Sequence, residues 1–193
     1  MNLKMKDFVL LALLTALYII VYFVAMMIIS LMGPFGHAIS PGVCGLLSGA
    51  ILIFISRKIG KMWQFTLMEL IIMGVFALMG AGYLPWFITS MIGAVLADLI
   101  ASTSSKPSVL KVAIASGLIH VGNALGGIIP ACFFAEQYMS EWIARGQKPD
   151  QMLEMVKATQ GVMGILGTVI TFILSVIGVY IGYSILKGHL KEN

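Results

Sequence analysis

The chain is predicted to fold as an all-α integral membrane bundle of six transmembrane helices with both termini cytoplasmic. Three observations predict this. Of 193 residues, 60% are hydrophobic and 10% charged, with a mean hydropathy of +1.01, whereas soluble domains carry about 25% charged residues. The apolar residues collect into six runs, each close to the ~20 residues that a bilayer crossing needs. If the runs alternate across the membrane, Lys4, Lys6, Arg57, Lys58, Lys61, Lys106, Lys111, Lys187 and Lys191 share one side, which is nine of the twelve lysines and arginines. The positive-inside rule makes that side the cytoplasm.

The first run, Phe8 to Leu31, begins like a signal peptide. It is much longer than the ~7 to 15 residues of a signal core, and no small-residue cleavage site follows, so a retained helix is expected. The second run, Ala38 to Ser56, follows the break MGPFGH; Pro41 favours a helix start there with Ser40 as its N-cap. Runs three and four, Phe65 to Ala81 and Leu84 to Ser102, follow RKIGK and enclose GAGYLPW. Run five, Val109 to Phe134, follows STSSKPS at 102–108, and run six covers Val162 to Leu186. Each break carries the glycine, proline or charge expected where a helix leaves hydrocarbon. Between runs five and six lies the longest polar stretch, Ala135 to Gln160, which holds the remaining Arg145, Lys148 and Lys157 together with Glu136, Glu141, Asp150 and Glu154. Tyr138, Met139, Trp142 and Ile143 are spaced for a short amphipathic helix, and Pro149 suits a first helical turn. The stretch is either a lid over an outward-facing cavity or a plain connector. All of 1–193 is read as one membrane domain without a defensible internal repeat.

Several classes of function are set aside. The net charge of +4 sits at segment ends rather than on a basic face, so nucleic acid is not an expected partner. HExxH, GxSxG and the phosphate-cradling GxxxxGK[ST] are all missing; Gly60-Lys61 is followed by Met62. No enzymatic activity, cofactor or metal is expected, since three scattered histidines make a poor metal site. Cys44 and Cys132 are expected to be buried thiols acting as small hydrophobes.

The fifth run is the unusual one, because an imidazole, an amide and a proline interrupt a membrane segment only where the protein uses or satisfies them. His120, Asn123, Gly127, Pro130 and Phe134 recur every three or four residues and share one helix face. That face either offers polar groups to a substrate from outside or makes interhelical hydrogen bonds, with Gly126 and Gly127 leaving room for a ligand or a close helix contact. His37 in the first outer break is a ligand contact or a solvated tip. Tyr83 and Trp86 in the second are interface anchors or stacking partners, and Tyr138 is a substrate contact if the 135–160 stretch is a lid. Glu69 and Asp98 are acids well inside apolar runs, about 10 and 6 Å from the cytoplasmic ends at ~1.5 Å per residue. They are structural ion pairs with Arg57, Lys58, Lys61 or Lys106, contacts to a partner, or steps of an ion pathway. Ala12 and Ala16, four apart on the first run, would let another helix approach closely, and Asp7 suits the start of that helix.

The opening KDFVLLALLTALYIIVYF, then GPFGHAISPG, GAVLADLIA and the long fifth outer loop resemble the substrate-binding S components of energy-coupling factor (ECF) transporters, more narrowly the Trep_Strep or MptD-type group. The resemblance spans essentially the full chain. It implies a subunit of the cell membrane that captures a vitamin-like micronutrient from outside and topples on a transmembrane coupling subunit driven by two ATPases. It implies that Ala12 and Ala16, matching the AxxxA motif of that group, contact the coupling subunit. It implies a cavity in the outer half, formed by membrane helices four to six with the loops after helices one, three and five. The substrate does not carry over. With few charges facing outward, a neutral or weakly charged, partly aromatic ligand is expected. Two other functions remain: a stand-alone ion-coupled carrier using Glu69 and Asp98, and a membrane enzyme using His37 and His120.

Overall fold

The computed structural model describes residues 3–103 and 106–188. Lys191, counted above among the cytoplasmic cations, and Ser104 and Ser105 of the fourth break lie outside these residues. The described residues form helices α1 (Met5–Ile29), α2 (Pro34–Lys58), α3 (Gln64–Phe76), α4 (Leu84–Ala101), α5 (Val109–Phe133), α6 (Ala135–Ala144), α7 (Pro149–Thr159) and α8 (Val162–Leu186), with no strand among them. A 3-10 turn (Ser30–Met32) extends α1, and a π turn (Ala77–Ala81) extends α3 to the left-handed Gly80 (φ 84°). Six of the helices, counting these extensions, are long and apolar enough to cross a membrane.

The helix starts differ most from expectation at α2, which begins at Pro34 rather than near Ala38. His37 is therefore in its first turn, Ser40 is not the N-cap, and Pro41 is internal. The physical reason is visible in the backbone accounting. Gly33 takes φ 68° and Pro34 fills the first helical position, where no N–H is missed. Pro41 cannot donate to the carbonyl four residues back, and the Ser40 hydroxyl donates to that His37 carbonyl instead (3.0 Å). α1 starts at Met5 because the Asp7 carboxylate accepts from the Lys4 N–H (2.7 Å) and from Lys61 Nζ (2.5 Å). The stretch 135–160 is helical on both sides of a short turn, with the short amphipathic helix expected there as α6 and the helix start expected at Pro149 as α7.

α2 and α5 are the most buried of the spans. Their neighbours approach through small residues, the usual means of close packing where hydrocarbon outside offers no hydrophobic drive. Gly42, Gly45 and Gly49 of α2 lie against Thr171, Ser175 and Gly178 of α8. Gly93 of α4 and Gly122 of α5 meet backbone to backbone, as do Gly126 of α5 and Trp86 of α4. α1 turns Leu11, Thr15, Tyr18, Ala25 and Ile29 inward and leaves Leu13, Leu17, Ile20 and Met27 on the open side. Of the cysteines, Cys44 is buried as expected. Cys132 is exposed, because it shares the outward face of the last turn of α5 with Phe133.

Several buried polar side chains between helices bond to one another. The contacts of Asp98 among the described residues are hydrogen bonds from groups that are not cations, and its carboxylate caps α3. It accepts from the N–H groups of Phe65 (3.2 Å) and Thr66 (2.8 Å), the Thr66 hydroxyl (2.7 Å) and the Ser102 hydroxyl (2.6 Å). An anion at a helix N-terminus is favoured by the free N–H groups and the helix dipole together. Lys61, one of the cations expected for Glu69 and Asp98, is taken by Asp7.

Candidate functional site

Near the ends of α1 and α3 and the start of α2 and α4, the helices splay around a cavity of about 340 Å³. Small-molecule sites range from ~300 to 1,000 Å³, so this one falls at the small end. Its walls come from α1 (Tyr22, Phe23, Met26), α2 (His37, Ser40), α3 (Phe76), the α3–α4 connection and α4 (Tyr83, Trp86), and α5 (Asn123, Gly127), among others. α6 and the turn after it close the top with Tyr138, Trp142 and Gln147, and α7 adds Thr159. Among the described residues none from α8 lines it, although the resemblance implies the sixth span in the wall. The inner face of α8 is used up in its glycine contact with α2.

Of the expected site residues, His37, Tyr83, Trp86, Asn123 and Tyr138 converge on this cavity. His120 does not line it. Three residues before Asn123, and so about one turn further along α5, its Nδ1 lies 2.7 Å from the Ser116 carbonyl, which can only accept. Nδ1 therefore carries the proton, and Nε2 accepts from the Tyr18 hydroxyl (2.9 Å). Both ring nitrogens are engaged, Nδ1 within α5 and Nε2 in holding α1 to α5, the interhelical role that the sequence leaves open.

Asn123 forms the floor. Its Oδ1 accepts from Trp86 Nε1 (3.1 Å) and the Ser90 hydroxyl (3.3 Å), and its Nδ2 donates to Glu69 Oε1 (3.1 Å) and the Ile119 carbonyl (3.0 Å). An amide has two donor hydrogens and two acceptor lone pairs, so its capacity is filled by protein. Glu69 lies fully buried beneath it, and its Oε2 has no hydrogen bond among the described residues. The ion pair expected for Glu69 is thus replaced by an amide contact, because α3 and α5 bring the two side chains together at the same depth.

Two aromatic clusters bound the cavity. Phe76 sits edge-on to Tyr22 (centroids 5.0 Å) and to Trp86 (5.4 Å). Tyr83, Tyr138 and Trp142 form a second group, with centroids 5.5, 5.8 and 6.4 Å apart. Burial pushes the Tyr138 hydroxyl well above its ordinary range, with the neighbouring Tyr83 adding to it, so it stays protonated and able to donate. The indole N–H of Trp142 is buried without a partner among the described residues. Arg145 fastens this cover to the α3–α4 connection. Its Nη1 donates to the Gly82 carbonyl (2.7 Å) and its Nη2 to Glu141 (2.6 Å), and the guanidinium lies 5.1 Å from the Trp142 ring centroid.

Tyr22, Phe23, Phe76 and Gln147 are wall residues that sequence reasoning does not single out, and Trp142 is one that it places only on an amphipathic helix. Tyr22, Phe23 and Phe76 look like ordinary packing aromatics in an apolar run, and only the meeting of α1 with α3 distinguishes them. Trp142 does carry a signal, being four residues after Tyr138 and so on the same face of a strongly amphipathic helix.

A bundle of membrane-length helices enclosing an aromatic chamber defines a multi-pass integral membrane protein with room for a small molecule. The chain belongs to the Trep_Strep family, described as hypothetical bacterial integral membrane protein, whose profile matches residues 5–192. No curated protein and no solved structure matches it.

Proposed function

We propose that the protein is the substrate-binding subunit of an ECF-type uptake transporter, without enzymatic activity of its own, taking a small micronutrient into the cavity from outside the cell. The observation that carries this reading is the cavity itself, a partly open chamber at one end of the bundle beneath α6 and α7, the only helices among the described residues that lie outside the spans. With the termini cytoplasmic, as the distribution of cations favours, the covered end faces outward. Resemblance to S components supports the same assignment. Ala12 and Ala16 are both exposed on α1, on the face that turns away from the bundle, as docking on a transmembrane coupling subunit with two ATPases requires.

The test is co-purification of the tagged chain with a coupling subunit and two ATPases. Ala12→Trp and Ala16→Trp are expected to abolish that assembly while leaving the melting temperature of the isolated chain unchanged, since neither side chain contributes to the packed interior. Intact assembly in both variants would remove the docking claim.

A stand-alone ion-coupled carrier is favoured by one observation, the buried Glu69 with an oxygen that has no hydrogen bond among the described residues. Asp98 is occupied in capping α3, so this reading rests on Glu69 alone. Purified protein in liposomes would then move solute on a proton gradient without partners, and Glu69→Gln, which still accepts from Asn123, would stop it. On the S-component reading the liposomes show no such transport.

A further inference from the structure

We infer that the cavity recognises an uncharged, planar heteroaromatic molecule of about two fused rings, its polar edge held between His37 and Tyr138 across the bare backbone of Gly127. The inference rests on the substrate-capture reading and specifies its ligand.

Charge is the first constraint. Among the described residues no aspartate, glutamate, lysine or arginine lines the cavity. The buried Glu69 is separated from the cavity by the Asn123 amide that it binds, and Arg145 and Glu141 pair with each other, Arg145 also donating to the Gly82 carbonyl. A charged ligand would lose its water here without meeting an opposite charge, which is strongly unfavourable. Size is the second. At about 340 Å³ the cavity lies at the small end of small-molecule sites, with room for a compact ring system. Wall chemistry is the third. The Phe76–Trp86 and Tyr83–Tyr138–Trp142 clusters present ring edges and faces from both ends, the surroundings in which a flat π-system gains most.

Gly127 supplies the orientation. A Cβ placed there would lie 3.4 Å from the Tyr138 hydroxyl and 3.9 Å from His37 Nε2, so groups from α6 and α2 converge on one point of α5. Between them they can donate and accept, which matches a ring edge carrying a nitrogen acceptor beside an N–H, amino or oxo group. Asn123, by contrast, has no capacity left to offer. The two adjacent glycines thus have separate jobs. Gly126 lets α5 touch α4 at Trp86, and Gly127 leaves the ligand's polar edge its space.

The test uses the full chain in nanodiscs, incubated with yeast extract as a source of purines, pterins, flavins, sugars, amino acids and nucleotides. After washing, retained compounds are identified by mass spectrometry. An uncharged fused-ring heterocycle is expected, with at least ten-fold weaker retention by Gly127→Ala. That variant should fold normally, because its methyl makes only ordinary contacts and alanine favours a helix over glycine; its melting temperature is measured alongside. A charged or non-aromatic compound retained instead would overturn the ligand class and leave substrate capture standing. Undiminished retention by a folded Gly127→Ala would overturn the placement of the polar edge. Retention of nothing by the unmodified chain would overturn both the ligand class and the capture reading.

Discussion

Gly49→Val is expected to prevent the bundle from assembling. Gly49 lies in the middle of α2, where even a Cβ would collide with the backbone of Gly178 and Val179 on α8. The obstacle is main chain, so no rotamer change relieves it, and α2 and α8 must move apart along their whole contact. Overpacking a well-filled core typically costs about 1 to 3 kcal/mol, and occasionally more. A backbone clash at the most buried span belongs at the upper end, about 3 kcal/mol or beyond. Against total stabilities of roughly 5 to 15 kcal/mol, that is a large fraction. The measurement is the yield of monodisperse protein in mild detergent together with its melting temperature. Gly74→Ala is the control, since nothing lies within 4 Å of a Cβ at Gly74 on α3. It should keep or slightly raise stability, by up to about 1 kcal/mol from helix propensity. If Gly49→Val behaved like Gly74→Ala, the close α2–α8 contact would be wrong.

The six spans are legible in the sequence, whereas that glycine contact is not. Apolar runs of bilayer length, broken by glycine, proline and charge, fit little else than membrane helices in a chain of this composition. The start of α2 is harder, because GPFGHAISPG offers two prolines as helix starts. The choice between them depends on whether Ser40 caps a helix or replaces the N–H that Pro41 lacks, and both uses fit the same residues. Five of the expected site residues share the cavity, since loop aromatics and a polar face on one helix project to the same end of an alternating bundle. His120 shares that face but not that depth. Periodicity assigns direction around a helix; whether a side chain meets a cavity or Tyr18 depends on which helix lies opposite. The same limit hides Phe76 and the pairing of Glu69 with Asn123, since neither partner can be named before α3 is placed against α1 and α5.

Asp98 brings the second large effect. Asp98→Ala is expected to destabilise the protein by about 3 kcal/mol, the upper end for losing hydrogen bonds to a buried charged acceptor and leaving their donors unsatisfied. The loss would leave the N–H groups of Phe65 and Thr66 and the hydroxyls of Thr66 and Ser102 without this acceptor, in a position where Asp98 itself is fully buried. Each orphaned donor costs about 1 to 3 kcal/mol, less than additively where neighbours re-pair. Asp98→Asn should fall between, because its one carbonyl oxygen can still accept at the start of α3 while its NH₂ faces groups that donate. Two measurements decide the role of this acid. Thermal unfolding in detergent should show Ala well below Asn and Asn below the unmodified chain. Hydrogen exchange should show the loss concentrated in the first turn of α3. An acid serving an ion pathway would give the opposite pattern, with both variants stable and transport lost. Here stability is expected to fall first, since the free N–H groups of α3 need an anion from α4 before α3 can be packed inside the membrane.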